Sequence, residues 1–372
     1  MIDNQLKYRI GLTMINGIGP VLAKNLIAYL GSVENIFLEK KQNLAKIPGI
    51  GEMLSKEIVS QDVLKRADEE IEFIIKNKIQ SYFFTDKTYP FRLKECPDSP
   101  IMLYYKGNKN LNDVKFIGIV GTRKITEYGK EMCRNIINSI SQKIPNAVIV
   151  SGLAYGVDIC AHKLAVDNNV STIGVLGHGL DRIYPSIHRP IAVKMLDNGG
   201  LLTEFISKTN PDRQNFVKRN RIVAGMCDAV IVIESGVKGG ALITAELAND
   251  YNRDVFAVPG RFGDEFSAGC NKLIKENKAA LMESADDLLR FMNWESANDI
   301  SKKEIQTSLF SDLSEDEEDI INELRISPNG VNVNELTVKL NKPYSKLSSK
   351  LLDMEFKGLV KCLPGGMYKI IR

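Results

Sequence analysis

The sequence predicts an α/β protein built on a parallel sheet, with a small helical domain before the sheet and a winged helix after it. Three observations carry that prediction. Six short apolar runs alternate with helical patterns between residues 115 and 260. A Gly-x-Gly turn opening an apolar-periodic helix occurs twice before residue 60. After residue 315, three helical patterns lead into a terminal hairpin. Strands alternating with helices imply a parallel sheet covered on both faces.

The helical domain spans 1–80. "INGIGPVLAKNLI" (15–27) and "IPGIGEMLSKEIV" (47–59) share one pattern. Gly49 and Gly51 tolerate positive φ and Pro48 stiffens the approach, so the chain turns sharply there. Leu54, Ile58 and Val59 then recur at helical spacing. Gly17 and Gly19 play the same parts ahead of Leu22, Leu26 and Ile27. A turn that opens a helix leaves N–H groups at the positive end of the dipole, a place for a phosphate. One such copy reads as a tight turn between packed helices. Two resemble a tandem helix-hairpin-helix (SAM-like) unit, which holds nucleic-acid backbone without reading its sequence. Gly17, Gly19, Gly49 and Gly51, with Lys24 and Lys56 just downstream, are therefore secondary DNA-binding candidates. The same fold also serves as a purely structural domain, and both readings stand at this point.

The Rossmann-like domain spans 81–297. Its strands are "KFIGIVG" (115–121), "AVIVSG" (147–152), "TIGVLG" (172–177), "LLTEF" (201–205), "AVIVIES" (229–235) and "DVFAVPG" (254–260), with helices over 127–143, 155–168 and 241–252. Ligands of open parallel sheets bind outside the carboxyl ends of the strands. The loops there are glycine-rich: "GTRKITEYG", "SGLAYGVD", "GHGLDRIYP", "ESGVKGGALITA" and "PGRFG". Together they make a crevice lined with backbone N–H groups, suited to phosphate. The dinucleotide fingerprint is missing, because Arg123 occupies the first turn, and no Walker-type loop is present. Ser151 lies in S-G-L-A-Y-G, not in the G-x-S-x-G of a hydrolase elbow.

"DRQNFVKRNRIVAG" (212–225) interleaves Arg213, Lys218, Arg219 and Arg221 with Phe216 and Asn220. On a helix, Arg213 and Phe216 share a face and Asn220 lies one turn further on. Single-stranded nucleic acid uses such a set: the cation meets phosphate and the ring stacks on a base, for roughly 1–3 kcal/mol per base. A solvated basic helix with Phe216 buried is the plainer alternative.

A linker follows over 298–314, turning polar and acidic, and the winged helix-turn-helix domain occupies 315–372. "DIINELRI", "VNVNELTVKL" and "PYSKLSSKLLDMEFKGLV" read as its helices, and "KCLPGGMYKII" as a hairpin with a Gly-Gly turn. Lys342, Lys346 and Lys350 fall four apart on one helical face. They are secondary DNA-binding candidates, although a lysine row is more often a solvated face and such domains also bind proteins.

The 372 residues leave room for two or three domains. With a net charge of only +3, nucleic-acid affinity has to come from a local basic surface. The six cysteines are scattered without a C-x-x-C pair, which suits buried thiols in a reducing compartment. The three histidines lack metal-ligand spacing. No signal peptide opens the chain and no apolar run would span a membrane, so the expectation is cytoplasmic, with no membrane partner and no metal.

"VGTR", "SGLAYGVDICAH", "GVLGHGLDRIYP", "FVKRNRIVAG", "LITAELA" and "VPG" follow one another in an order that resembles the DNA-processing protein A family (DprA, also called Smf). The resemblance covers about 89–280 and extends to both flanks. It implies a single-stranded DNA-binding protein of natural transformation that protects incoming strands and loads the RecA recombinase. It further implies a homodimer through the Rossmann-like domain, and no cofactor or catalytic residue. The DNA-binding residues that follow are Gly121, Thr122 and Arg123 of the glycine-hydroxyl-arginine turn, then Arg213, Phe216, Lys218, Arg219, Asn220 and Arg221. Many members carry serine where Thr122 stands. "GVKGGALITA" replaces a Ser-Gly-Ser-Leu-type loop and removes one hydroxyl from the crevice.

Two rivals remain. The fold is also similar to that of phosphoribohydrolases acting on nucleoside monophosphates, where P-G-G-x-G-T-x-x-E carries the chemistry. Here "SGVKGGALITAE" breaks that order, with Glu246 left to stand in for the glutamate. A transcription factor reading its operator through the wing ranks third, because the basic-aromatic stretch lies on the sheet domain. The strand-binding reading requires Arg123 and Arg213 on one side of the domain and Phe216 open to solvent.

Overall fold

The computed structural model describes residues 4–112, 115–294, 314–326, 330–363 and 366–370. The chain forms two compact units, Met1–Ala297 and Asn298–Arg372. The linker expected over 298–314 lies outside the described residues except for Ser314.

The first unit is organised by a nine-stranded sheet. Its strands are β1 (Gln80–Phe83), β2 (Met102–Gly107), β3 (Lys115–Val120), β4 (Ala147–Ser151), β5 (Ser171–Val175), β6 (Gly199–Thr203), β7 (Ala229–Val232), β8 (Asp254–Ala257) and β9 (Ala280–Leu281). They lie in the order β1-β2-β6-β5-β4-β3-β7-β8-β9. From β6 to β9 every pairing is parallel. The six strands read from the sequence are β3 to β8. Each is buried on both faces, which is why each reads as a continuous apolar run and not as an alternation. In β4, Val148 and Val150 join the core on one face, while Ala147 and Ile149 join the core on the other.

The sheet is mixed, not wholly parallel. β1 and β2 add an antiparallel pair at one edge, and β2 pairs antiparallel with β6. The chain winds outward from β3 through β4, β5 and β6, then returns to the other side of β3 as β7 and β8. That reversal opens a crevice beside the carboxyl end of β3.

The amino-terminal helices pack on this antiparallel edge. Ile10, Leu26 and Ile58 share one core with Phe83, Met102 and Tyr104. The two Gly-x-Gly turns hold each other reciprocally. Gly17 has φ +77°, and a Cβ there would stand 2.7 Å from Leu54 of the second hairpin. Gly49 has φ +87°, and a Cβ there would stand 2.9 Å from Leu22 of the first. Glycine is thus required both for backbone conformation and for hairpin-on-hairpin packing. The copies are not identical: Gly51 has φ +55°, whereas Gly19 is extended at −82°. Lys24 is not available as an assisting cation, since its Nζ donates to the Pro97 carbonyl at 3.1 Å and the Ser99 hydroxyl at 2.7 Å. Lys56 is exposed.

The second unit has helices Glu315–Ile326, Val333–Leu340 and Tyr344–Phe356. Its sheet, in the order β10-β12-β11, consists of β10 (Val331–Asn332), β11 (Val360–Leu363) and β12 (Met367–Ile370). This is the winged helix expected, with one correction. "VNVNELTVKL" is not helical throughout, because its first two residues form β10 against β12. Asn332 then caps the helix by accepting from the Asn334 N–H at 2.9 Å. Pro364 and Gly365 of the expected hairpin turn lie outside the described residues.

Candidate nucleic-acid interface

The loops at the carboxyl ends of β3, β4 and β7 meet the helix Arg213–Met226 around an open cleft of about 490 Å³. The turn after β3 is held from both sides. The Thr122 N–H donates to the Glu234 carbonyl at 2.7 Å, and the Thr122 carbonyl accepts from the Val157 N–H at 3.1 Å. The Thr122 hydroxyl accepts from the Lys124 N–H at 3.1 Å, which closes the turn and leaves Arg123 exposed at its tip.

Arg213, Phe216, Val217 and Asn220 line the opposite wall, as i, i+3, i+4 and i+7 positions of one helix face should. Phe216 is half-buried, not sealed. The Arg123 guanidinium stands 5.8 Å from its ring centroid, within cation–π range. Tyr184, from the loop after β5, lies on Phe216 with centroids 5.7 Å apart and planes tilted by 31°. That loop gives Phe216 room at Gly177, where a Cβ would stand 2.7 Å from the ring. Arg123, Phe216 and Tyr184 therefore form a cation-aromatic-aromatic platform. Gly239 starts the helix Gly240–Asp250 at the cleft edge without a side-chain cap, leaving first-turn amides for an anion. The exposed Lys238 lies beside it.

The basic cluster divides by side of the helix. Arg219 is only 4% exposed. Its guanidinium donates to the Val175 carbonyl and fills the space where a Gly152 side chain would stand. Burial pushes its pKa down to about 10, opposed by Asp158. Asp158 is raised by burial, countered by Arg219 and by hydrogen bonds that include the Gly152 and Ala154 N–H groups. The two form a charged floor beneath the cleft. Arg221 is also buried, paired to Glu204 at 2.5 Å and bonded to the Asp98 carbonyl at 2.8 Å. Lys218 is exposed but points to the other flank, 3.5 Å from Glu204 and 5.5 Å from the centre of the Phe205 ring. The expectation that Lys218 holds phosphate beside Arg123 and Arg213 is corrected: residues 216 and 218 differ by about 200° around a helix of 3.6 residues per turn. Arg219 and Arg221 likewise have interior partners, so of the four basic residues Arg213 alone reaches the cleft exposed, while Arg219 lines its floor buried. Among the described residues, no carboxylate pairs with Arg123, Arg213 or Lys238.

The other candidates lie elsewhere. Gly17, Gly49 and Gly51 line none of this cleft, and Gly19 borders a second one. In the winged helix, Lys346 and Lys350 share a face of the helix Tyr344–Phe356, but Lys342 does not: the helix before it ends at the left-handed Asn341, and Pro343 only precedes the next one. Lys342 pairs with Asp316 and Asp319, both at 2.7 Å, Lys346 pairs with Asp316 at 2.9 Å, and Lys350 approaches Glu317 at 3.6 Å. Glu246, the stand-in glutamate of the hydrolase reading, does not line the cleft and faces Lys278 at 3.9 Å.

Residues 80–293 match the family described as DNA recombination-mediator protein A. Residues 10–61 match a SAM-like helix-hairpin-helix tandem, and 308–366 match the DprA winged helix domain. The chain belongs to the DNA-processing protein A family. It is 35% identical over 293 residues to protein Smf of Synechocystis sp., covering 78% of this chain and 73% of that one. It is 39% identical over 212 residues to DprA of Streptococcus pneumoniae, covering 57% and 74%. The X-ray structure of the Streptococcus pneumoniae protein superimposes with a TM-score of 0.65 at 33% identity, over 76% of this chain and 97% of that one. A Helicobacter pylori DprA structure, which concerns that protein's single-stranded DNA binding mode, superimposes at 0.52 with 28% identity, over 58% and 95%.

For this DprA-family chain, sequence reasoning missed Tyr184, Lys238 and Asp158 as parts of the site. Tyr184 was in view, in "GLDRIYP", but only the packing of that loop against the basic helix brings it to Phe216. Asp158 was in view in "SGLAYGVD". Its role as counter-charge depends on Arg219 turning inward, which the run of alternating charges does not reveal. Among the described residues, no helix is long and apolar enough to cross a membrane.

Proposed function

We propose that this chain is a non-enzymatic single-stranded DNA-binding protein of the cytoplasm. It protects incoming strands during natural transformation and loads the RecA recombinase onto them as a homodimer. One observation supports this most: Arg123 and Arg213, without a carboxylate partner among the described residues, line one open cleft with Phe216, whose ring is backed by Tyr184. Cations for phosphate around a stacking surface are what sequence-tolerant binding of an unpaired strand requires. The named single-strand binding of the Helicobacter pylori relative favours the same reading.

The test is fluorescence anisotropy with an oligonucleotide across a salt series. Removing both arginines (R123A together with R213A) should flatten the log–log salt slope by about 1.4, at roughly 0.7 per phosphate contact on a single strand. Unchanged affinity and slope would end the cleft assignment. The RecA step is tested separately, by whether the purified chain speeds RecA filament growth on strands already coated with a single-strand binding protein. No acceleration would remove that part alone. Release of free base from AMP would revive the phosphoribohydrolase reading, which the position of Glu246 disfavours.

A further inference from the structure

A second cleft, of about 420 Å³, lies on the opposite flank of the basic helix. Its size falls within the roughly 300–1,000 Å³ of small-ligand sites. Ile18 and Pro20 of the first hairpin, Met102 at the start of β2, and Phe205 just after β6 give it apolar walls. Its polar groups are few and mismatched. Lys218 stands over the Phe205 ring and is half exposed. The Glu204 side chain is 8% exposed; its Oε2 takes Arg221 and approaches Lys218, and its shielded Oε1 has no hydrogen-bond partner among the described residues. A buried carboxylate oxygen left unpaired is costly, so a donor from outside would be favoured there. The helix Pro20–Leu30 begins at the same cleft with no side-chain cap on its first turn.

We propose that this cleft takes one nucleobase bearing an exocyclic amino group from the strand held in the main cleft. The inference rests on the strand-binding reading above. The base lies against Phe205, Glu204 turns its shielded Oε1 outward to accept from the amino group, and Lys218 meets the adjoining phosphate. The cytosine amino group is a hydrogen-bond donor to carboxylates, whereas thymine presents an acceptor at the same position. A strand crossing the amino-terminal half of the basic helix, past the exposed Arg213, passes from one cleft to the other. The strand is the source of the base, not a free nucleotide, because the two clefts share that helix as their common wall.

The test compares oligo-dC and oligo-dT binding for the unaltered chain, for Thr209→Trp, and for the R123A/R213A pair. Thr209 lines the cleft and, among the described residues, its side chain has no hydrogen-bond partner, so tryptophan there plugs the space. Thr209→Trp should weaken oligo-dC by about tenfold, the scale of one well-made base contact, and oligo-dT by less than about twofold. Equal affinity for both oligomers in Thr209→Trp and the unaltered chain overturns the proposal. An equal loss on both overturns the role of Glu204. Displacement of oligo-dC by free dCMP makes the site a mononucleotide pocket and overturns the strand assignment. Photocrosslinking of the unaltered chain with 5-iododeoxycytidine in the oligomer should place adducts on Phe205 or Met14; adducts confined to Phe216 and Tyr184 overturn it. If R123A/R213A binds normally while Thr209→Trp does not, the main cleft is misassigned and the proposed path from it to this cleft is overturned with it.

Discussion

The sheet domain and the winged helix each gather basic residues, and the two sets differ in what neutralises them. Arg123, Arg213 and Lys238 surround an open cleft and have no carboxylate partner among the described residues. Lys346 and Lys350 share a face of the helix Tyr344–Phe356 and Lys342 stands just before it, but Asp316, Glu317 and Asp319 occupy all three. A phosphate arriving at the first set replaces only water and counterions. At the second it must displace a carboxylate. Spacing along a helix says which residues share a face, and the neighbouring element decides whether that face is free.

The largest expected effect concerns the floor of the free site. Arg219→Ala empties the buried space beside Gly152 and removes the guanidinium that favours the buried Asp158 charge, and emptying a filled core site of this kind costs about 2–5 kcal/mol. Urea denaturation should show that loss, while Arg213→Ala, at an exposed position, should shift stability by no more than about 0.5 kcal/mol. A harmless Arg219→Ala would mean that the floor is dispensable.

Next in size is Phe216→Ala. Loss of the stacking surface should weaken single-strand binding by roughly 1–3 kcal/mol, with the salt slope unchanged because no phosphate contact is removed. A change in slope without a change in affinity at low salt would mean that Phe216 only positions Arg123.

A smaller effect would sharpen the contrast from the other side. Replacing Asp316 and Asp319 together by asparagine frees Lys342 and Lys346. Duplex affinity should then rise several-fold at low salt, with a slope steeper by up to about 1.8. No rise would remove the lysine row from the DNA-binding candidates, whatever its spacing.

The smallest effect is a pH dependence of the wing. Hydrogen bonds from Lys342 and Lys346 hold Asp316 at about 2, below its ordinary 3.8, and one from Lys357 holds Glu317 at about 2, below 4.5. A lowered carboxylate pKa contributes stability above the ordinary value and loses it as pH falls through the folded one. The wing should therefore hold its ion pairs at pH 5 and lose them progressively between about pH 4.5 and 2. Carboxyl NMR titration of the full chain checks this, and ordinary titration of both groups would show that the row is only loosely paired.

The sequence by itself determined the layered architecture. Strands buried on both faces must be apolar throughout, so β3 to β8 were readable as runs, and the glycine-rich loops after them marked the rim where ligands collect. It also determined the duplicated hairpins, since positive-φ glycines at Gly17 and Gly49 leave a repeated mark. Only the tertiary structure decided which charges remain free. Arg213 and Arg219 look alike along the chain, yet one faces the cleft and the other fills the space beside Gly152. Edge strands β1 and β2 were also hidden, because β2 is placed by its pairing with β6, about a hundred residues away, and β1 only by its pairing with β2. Periodicity is a local property that the chain carries everywhere. The pairing of a charge is a long-range one, fixed by Asp158, Glu204 and Asp316 arriving from other elements.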